Sequence, residues 1–149
     1  MALKVELKPG ERILIGECVI TNSGQRARFV IDGKKVPILR EKDILTAEQA
    51  DSPAKRIYLA VLLMYTSRDP REHYPTYFSL VQDLIHAAPS TLIHIENINN
   101  QILTGNMYKA LKQVKHLIEY EQELLRNEAG RKSLRKSGKQ DLQPARVGS

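Results

Sequence analysis

The sequence predicts an α+β protein: a five-stranded antiparallel β meander, small-barrel or sandwich-like, followed by a bundle of about four helices and a disordered basic tail. Three observations carry this. Short β-type runs fill Leu3 to Ile44 and are separated by turn signals at Pro9-Gly10, Gly16, Asn22-Ser23-Gly24 and Asp32-Gly33. After Ile44 the apolar residues shift to helical spacing. Beyond Gly130 they become sparse while Lys, Arg, Ser, Gly and Gln dominate, a composition that cannot bury enough apolar surface to order the chain in isolation. The expected units are residues 1–45 (β), 46–130 (helical) and 131–149 (tail).

The β runs are Leu3 to Leu7, Arg12 to Ile15, Glu17 to Thr21, Arg26 to Ile31 and Lys35 to Leu39. Connections this short cannot hold a crossover helix, so neighbouring runs are expected to pair in sequence order. The Asp32-Gly33 pair supplies the positive-φ positions of a two-residue hairpin turn. Alternation sets the faces: Leu3, Val5 and Leu7 point one way and Lys4, Glu6 and Lys8 the other, while Arg26 and Arg28 alternate with Ala27 and Phe29. Cys18 lies in a strand, where a small buried hydrophobe is the expected role.

Asp51-Ser52-Pro53 starts the first helix, Ala54 to about Thr66, which is apolar on nearly every side and so expected to be buried on nearly every side. Pro75 delays the second helix to Thr76 to Ala88, with Tyr74, Tyr77, Phe78, Val81, Leu84 and Ile85 on its inner face. Pro89-Ser90 restarts the chain as a third helix, Ser90 to about Leu103, through Leu92, Ile95, Ile98, Asn99 and Ile102, and Gly105 is its stop. Asn97, Asn99, Asn100 and Gln101 form a polar cluster, read as a solvated or helix-pairing face. The fourth helix, Asn106 to about Asn127, carries Leu111, Val114 and Glu121 on one stripe. Lys109, Lys112 and His116 share the opposite face, which is either solvated or an extension of an RNA-facing surface.

With 149 residues and 42% hydrophobic content, the chain can bury one ordinary core. The single cysteine excludes an internal disulfide and favours a reducing compartment. The charged start Met1-Ala2-Leu3-Lys4-Val5-Glu6 does not resemble a signal peptide, and the longest apolar run, Ile57 to Tyr65, falls well short of a membrane crossing, so a cytoplasmic, non-membrane protein is expected.

The formal charge of +6 sits at the ends: nine bases against five acids over Ala2 to Lys42, and six against Asp141 alone over Arg131 to Ser149. Between them, eleven acids outnumber eight bases. A basic strand face attracts phosphate through counterion release.

Catalytic and metal motifs are missing. His73, His86, His94 and His116 fall on separate helical segments with no i, i+4 pair, and there is no Gly-x-Ser-x-Gly elbow or Gly-Lys-Ser/Thr phosphate loop. We therefore expect no enzyme, no cofactor and no metal.

Two stretches, read together, resemble the FlbT family of flagellin regulators from α-proteobacteria. The first is Leu7-Lys8-Pro9-Gly10-Glu11-Arg12 into Ile13-Leu14-Ile15-Gly16, with the later Ile38-Leu39-Arg40-Glu41; the second is Thr104-Gly105-Asn106-Met107-Tyr108-Lys109-Ala110-Leu111-Lys112 before Leu117-Ile118-Glu119-Tyr120-Glu121. The resemblance spans roughly Lys4 to Leu125 and implies a post-transcriptional regulator that associates with the 5′ untranslated leader of flagellin mRNA and lowers its translation or lifetime. It also implies a FlaF-type regulator as a partner. The Gly10-Glu11 turn and Leu39-Arg40-Glu41 are in addition similar to the CsrA family of small β-sheet RNA binders, although Leu39 stands where that family has histidine.

The resemblance makes Arg40 the leading RNA-contact candidate, with Arg26, Arg28, Lys8 and Lys35 beside it. Phe29 is the only aromatic residue before Tyr58, which favours recognition by arginine and backbone groups over aromatic stacking. The alternative is a docking module or chaperone-like adaptor holding a FlaF-type regulator or flagellin, affecting mRNA indirectly, with Tyr108, Lys109 and Lys112 as candidate contacts. Unpaired sheet edges predict a homo-oligomer.

Overall fold

The structure is a computed structural model that describes residues 2–33 and 36–146, with side chains over 3–33 and 36–130. The five strands are β1 (Ala2–Leu7), β2 (Arg12–Ile15), β3 (Cys18–Thr21), β4 (Ala27–Asp32) and β5 (Ile38–Arg40), followed by helices α1 (Pro53–Thr66), α2 (Tyr74–Ala87), α3 (Leu92–Leu103) and α4 (Met107–Arg146). The α+β class and the element order are those the sequence predicts.

The pairing is not that of a meander. β1 pairs antiparallel with β4, and a second sheet has the order β3-β2-β5. Among the described residues only β2 and β3 form a sequential hairpin, and its two-residue turn is Gly16-Glu17, where Gly16 has φ +61, not Asp32-Gly33. Asn22 explains the rearrangement. Its Nδ2 donates to the carbonyls of Leu7 (2.9 Å) and Gln25 (2.8 Å), and its backbone pairs with Gly10 and Glu11, so the β2–β3 hairpin becomes an excursion closed at its base between β1 and β4. Pro37 lacks the N–H a ladder needs, which holds β5 to three residues. Replacing Asn22 with alanine is expected to cost about 1–3 kcal/mol, read as a lower urea midpoint with the slope retained.

The second sheet is a middle layer. Ile13 faces β1, where it joins buried Val5 and Leu7 with Ile15, Ile31 and Ile38 around them. Leu14 and Leu39, paired across the ladder, face the helices. The uninterrupted Ile13-Leu14-Ile15 run is thus the signature of a strand covered on both faces. β3 lies at the edge, and Cys18 is exposed there, not buried as its strand context predicts.

α1 is covered on most sides, with Ile57, Tyr58, Val61 and Met64 in the core and Leu63 exposed. α2 begins at Tyr74, two residues before the expected Thr76, because a proline in the first turn has no amide bond to lose. Tyr77, Val81 and Leu84 are buried, whereas Phe78 and Leu92, both placed inward by spacing, are 52% and 45% exposed. Tyr77 takes the inward position and its hydroxyl donates to Asn99 Oδ1 at 2.6 Å, so the asparagine cluster does pair helices. Burial pushes the Tyr77 phenol pKa up. Gly105, at φ +79, ends α3. The backbone of α4 continues as helix to Arg146, past the Asn127 end that its apolar stripe predicts and into the 131–149 tail expected to be disordered, where Leu, Lys, Arg and Gln are good helix formers; residues 147–149 lie outside the described residues.

Glu121, buried on α4, accepts from the Ala54 amide at 2.9 Å, and the Ser52 hydroxyl accepts from Lys55 N at 3.3 Å. Together they cap α1, and the carboxylate meets the positive end of the helix dipole. Glu121→Ala is expected to cost about 2 kcal/mol and Glu121→Gln, which keeps an acceptor but not the charge, roughly half as much; thermal unfolding of the two variants checks the order.

Candidate nucleic-acid interface

Burial of Val5 and Leu7 turns Lys4 and Glu6 outward on β1, and the register sets Arg28 of β4 directly opposite Glu6. Arg26, one residue before β4, lies on the same face as Arg28. Arg26 Nη1 reaches Glu6 Oε1 at 3.0 Å, and Arg28 Nε lies 4.0 Å from Glu6 Oε2 with its side chain 88% exposed. From β5, Arg40 Nη1 donates to the Glu6 carbonyl at 3.2 Å. The structure therefore gathers Arg26 and Arg28 around the Glu6 carboxylate, while Arg40 reaches the main chain of the same residue from between the sheets.

Their roles differ. Arg40 is half-buried and commits one N–H to the contact between the two sheets. Arg28 offers nearly its whole guanidinium to solvent, with the planar fork that matches a phosphate. Lys8 is exposed just past β1, where its amide donates to Glu11 Oε1 at 2.7 Å. Lys35 lies outside the described residues. Leu39, matched to the histidine of CsrA-type proteins, is buried against the helices, and Glu41 pairs with Arg12.

Arg12 Nε donates to Glu41 Oε2 at 2.6 Å. That hydrogen bond, and then the guanidinium charge, hold the Glu41 carboxyl below its ordinary value and raise Arg12. A depressed carboxyl pKa contributes stability above its unfolded value and loses it as pH falls through the folded one. Wild type and Glu41→Gln should therefore differ in urea midpoint near neutrality and converge as pH drops below about 4.

The sequence does not reveal the buried Asp43. Its carbonyl accepts from the Tyr58 hydroxyl at 2.6 Å, and Oδ1 pairs with Lys115 of α4, tying the end of the β unit to two helices. Burial first, and then the Asp43 charge, raise the Tyr58 phenol pKa. Tyr108 is raised in the same order, with Lys115 and Arg40 opposing.

Tyr108, Lys109 and Lys112 sit at the start of α4. Tyr108 is 38% exposed, its ring 6.3 Å from that of Tyr65, and Lys112 Nζ lies 5.0 Å above it. Among the described residues, no three His, Cys, Asp or Glu side chains converge as a metal site. None of the described helices is long and apolar enough to cross a membrane.

The sequence profile of a family described as "Flagellar protein FlbT" matches residues 3–125. A Bradyrhizobium diazoefficiens protein named "Probable flagellum biosynthesis repressor protein FlbT 1" is 60% identical over 124 residues, covering 83% of this chain and 85% of that protein. One from Rhodopseudomonas palustris is 54% identical over 125 residues, covering 84% and 98%. The Caulobacter vibrioides "Flagellum biosynthesis repressor protein FlbT" is 34% identical over 128 residues, covering 84% and 90%. No solved structure matches. With two signatures about a hundred residues apart in one continuous match, the chain belongs to the FlbT family of flagellar proteins.

Proposed function

We propose that this chain represses flagellar biosynthesis post-transcriptionally in the cytoplasm, by associating with the 5′ untranslated leader of flagellin mRNA through the outward face of β1 and β4. The observation that carries the reading is the pairing of two exposed guanidinium groups, Arg26 and Arg28, on the Glu6 carboxylate of that face, with Arg40 bonded to the Glu6 carbonyl behind it. Guanidinium groups suit both phosphate contact and stacking on unpaired bases. The relatives' names supply the flagellar context. The test is retention of a flagellin leader transcript by the purified chain, paired with flagellin output in a strain lacking the gene. The reading expects a gel shift and raised flagellin on deletion; no shift at low salt counts against it.

A second reading, docking of a FlaF-type regulator, flagellin or another copy of the chain, has one observation in its favour. β3 is an edge strand whose Val19 and Ile20 are 60% and 42% exposed, a surface suited to strand addition. Capture that survives nuclease treatment supports it.

A further inference from the structure

We propose that the groove between the segment entering β5 and helices α1 and α4 binds a nucleobase of single-stranded RNA, with Tyr108 as the stacking surface and Arg68 and Lys109 meeting the flanking phosphates. The proposal rests on the RNA reading above and adds a second contact region to it.

The groove encloses about 780 Å³, enough for a nucleotide and part of its neighbours. Val36, Pro37, Met64 and Tyr65 give it apolar and aromatic walls, and Arg68 and Lys109 supply positive charge. No aspartate or glutamate is among the residues lining it, although acids outnumber bases over residues 43–130. Charge and shape thus point to an anionic ligand with a flat apolar part.

The aromatic pair is arranged to receive such a part. Tyr65 is fixed: its hydroxyl accepts from the Ile38 amide at 3.0 Å and lies 3.4 Å from the Ile38 carbonyl. Tyr108 stands at 51° to it, forming a wedge instead of a closed stack. The Lys112 ammonium over the Tyr108 ring is held by a weak exposed cation–π contact. Lys112 does not line the groove, so a base entering it stacks on Tyr108 without having to displace that contact.

Position favours RNA over an acidic peptide. Arg40, at the end of β5, bonds the Glu6 carbonyl between the two sheets, and Pro37, three residues earlier, lines the groove. β5, only three residues long, therefore joins the groove to β1 over roughly 10 Å, within the reach of one RNA strand. The single aromatic of the β region, Phe29, is thus supplemented by two tyrosines delivered from α1 and α4.

Fluorescence anisotropy with the full chain tests this, using labelled oligoadenylate and an abasic oligomer of equal length. Wild type is expected to prefer oligoadenylate by roughly tenfold or more. Tyr108→Ala should erase the preference while keeping the salt dependence, and Tyr108→Phe should keep both. Lys109→Ala should keep the preference and reduce the log–log salt slope by about 0.7. Equal binding of both oligomers by wild type, or a preference that survives Tyr108→Ala, overturns the base pocket while leaving the arginine face intact. Binding of neither oligomer, together with no leader retention, overturns the RNA reading and the pocket with it. Occupation of the groove by an aromatic acidic peptide that oligoadenylate does not displace also overturns the pocket.

Discussion

Lys115→Met is expected to destabilise the fold by about 3 kcal/mol, a loss that puts the variant among the severe single substitutions. Asp43 is 4% exposed, and Lys115 is its only side-chain partner among the described residues; the second carboxylate oxygen has none. Methionine keeps the length of the lysine stem and so isolates the charge. The buried Asp43 carboxylate is then left without its ion-pair partner, since the Tyr58 hydroxyl bonds the Asp43 carbonyl and not the side chain. Asp43→Asn removes the charge and leaves Lys115, 42% exposed, free to hydrate, so its cost should be about 1 kcal/mol. The double variant should resemble Asp43→Asn more than the sum of the two. Urea unfolding of the four proteins gives the coupling energy directly.

The second large effect is on RNA. Arg26→Ala combined with Arg28→Ala is expected to weaken leader binding by roughly tenfold or more, and to lower the log–log salt slope by about 1.4 if each arginine meets one phosphate. Stability should hardly change, because both ion pairs to Glu6 are solvent-exposed and such pairs contribute about 0–1 kcal/mol. The same geometry predicts an opposite result for Glu6→Gln: freeing both guanidinium groups should tighten binding and steepen the slope. Arg40→Ala is less decisive, since it also removes the hydrogen bond that links β5 to β1. Anisotropy titrations at several salt concentrations measure all three.

Much of this was legible locally. Ser52-Pro53, Gly105 and the α4 stripe mark their elements because the signals act within a turn or two of helix. The two-layer β unit was not, because its pairing is decided by Asn22, whose amide reads as a simple turn signal yet reaches carbonyls before β2 and after β3. The Asp43–Lys115 pair is separated by 72 residues, and no periodicity connects them. Arg26 and Arg28 were visible as a strand face, but their shared partner Glu6 depends on a β1–β4 register that a sequence-order meander excludes. The sequence places Tyr108 in the last helix; its position beside Tyr65 and the β5 approach follows from packing alone.

The central claim, that a transcript lies across the arginine face of β1 and β4, is tested most directly by titrating the ¹⁵N-labelled chain with leader RNA and mapping the amide shifts. Perturbations centred on Glu6, Lys8, Ala27 to Phe29 and Arg40 are the result this structure predicts. Shifts confined to α2 and α3 under saturating RNA, with β1 and β4 silent, would contradict it.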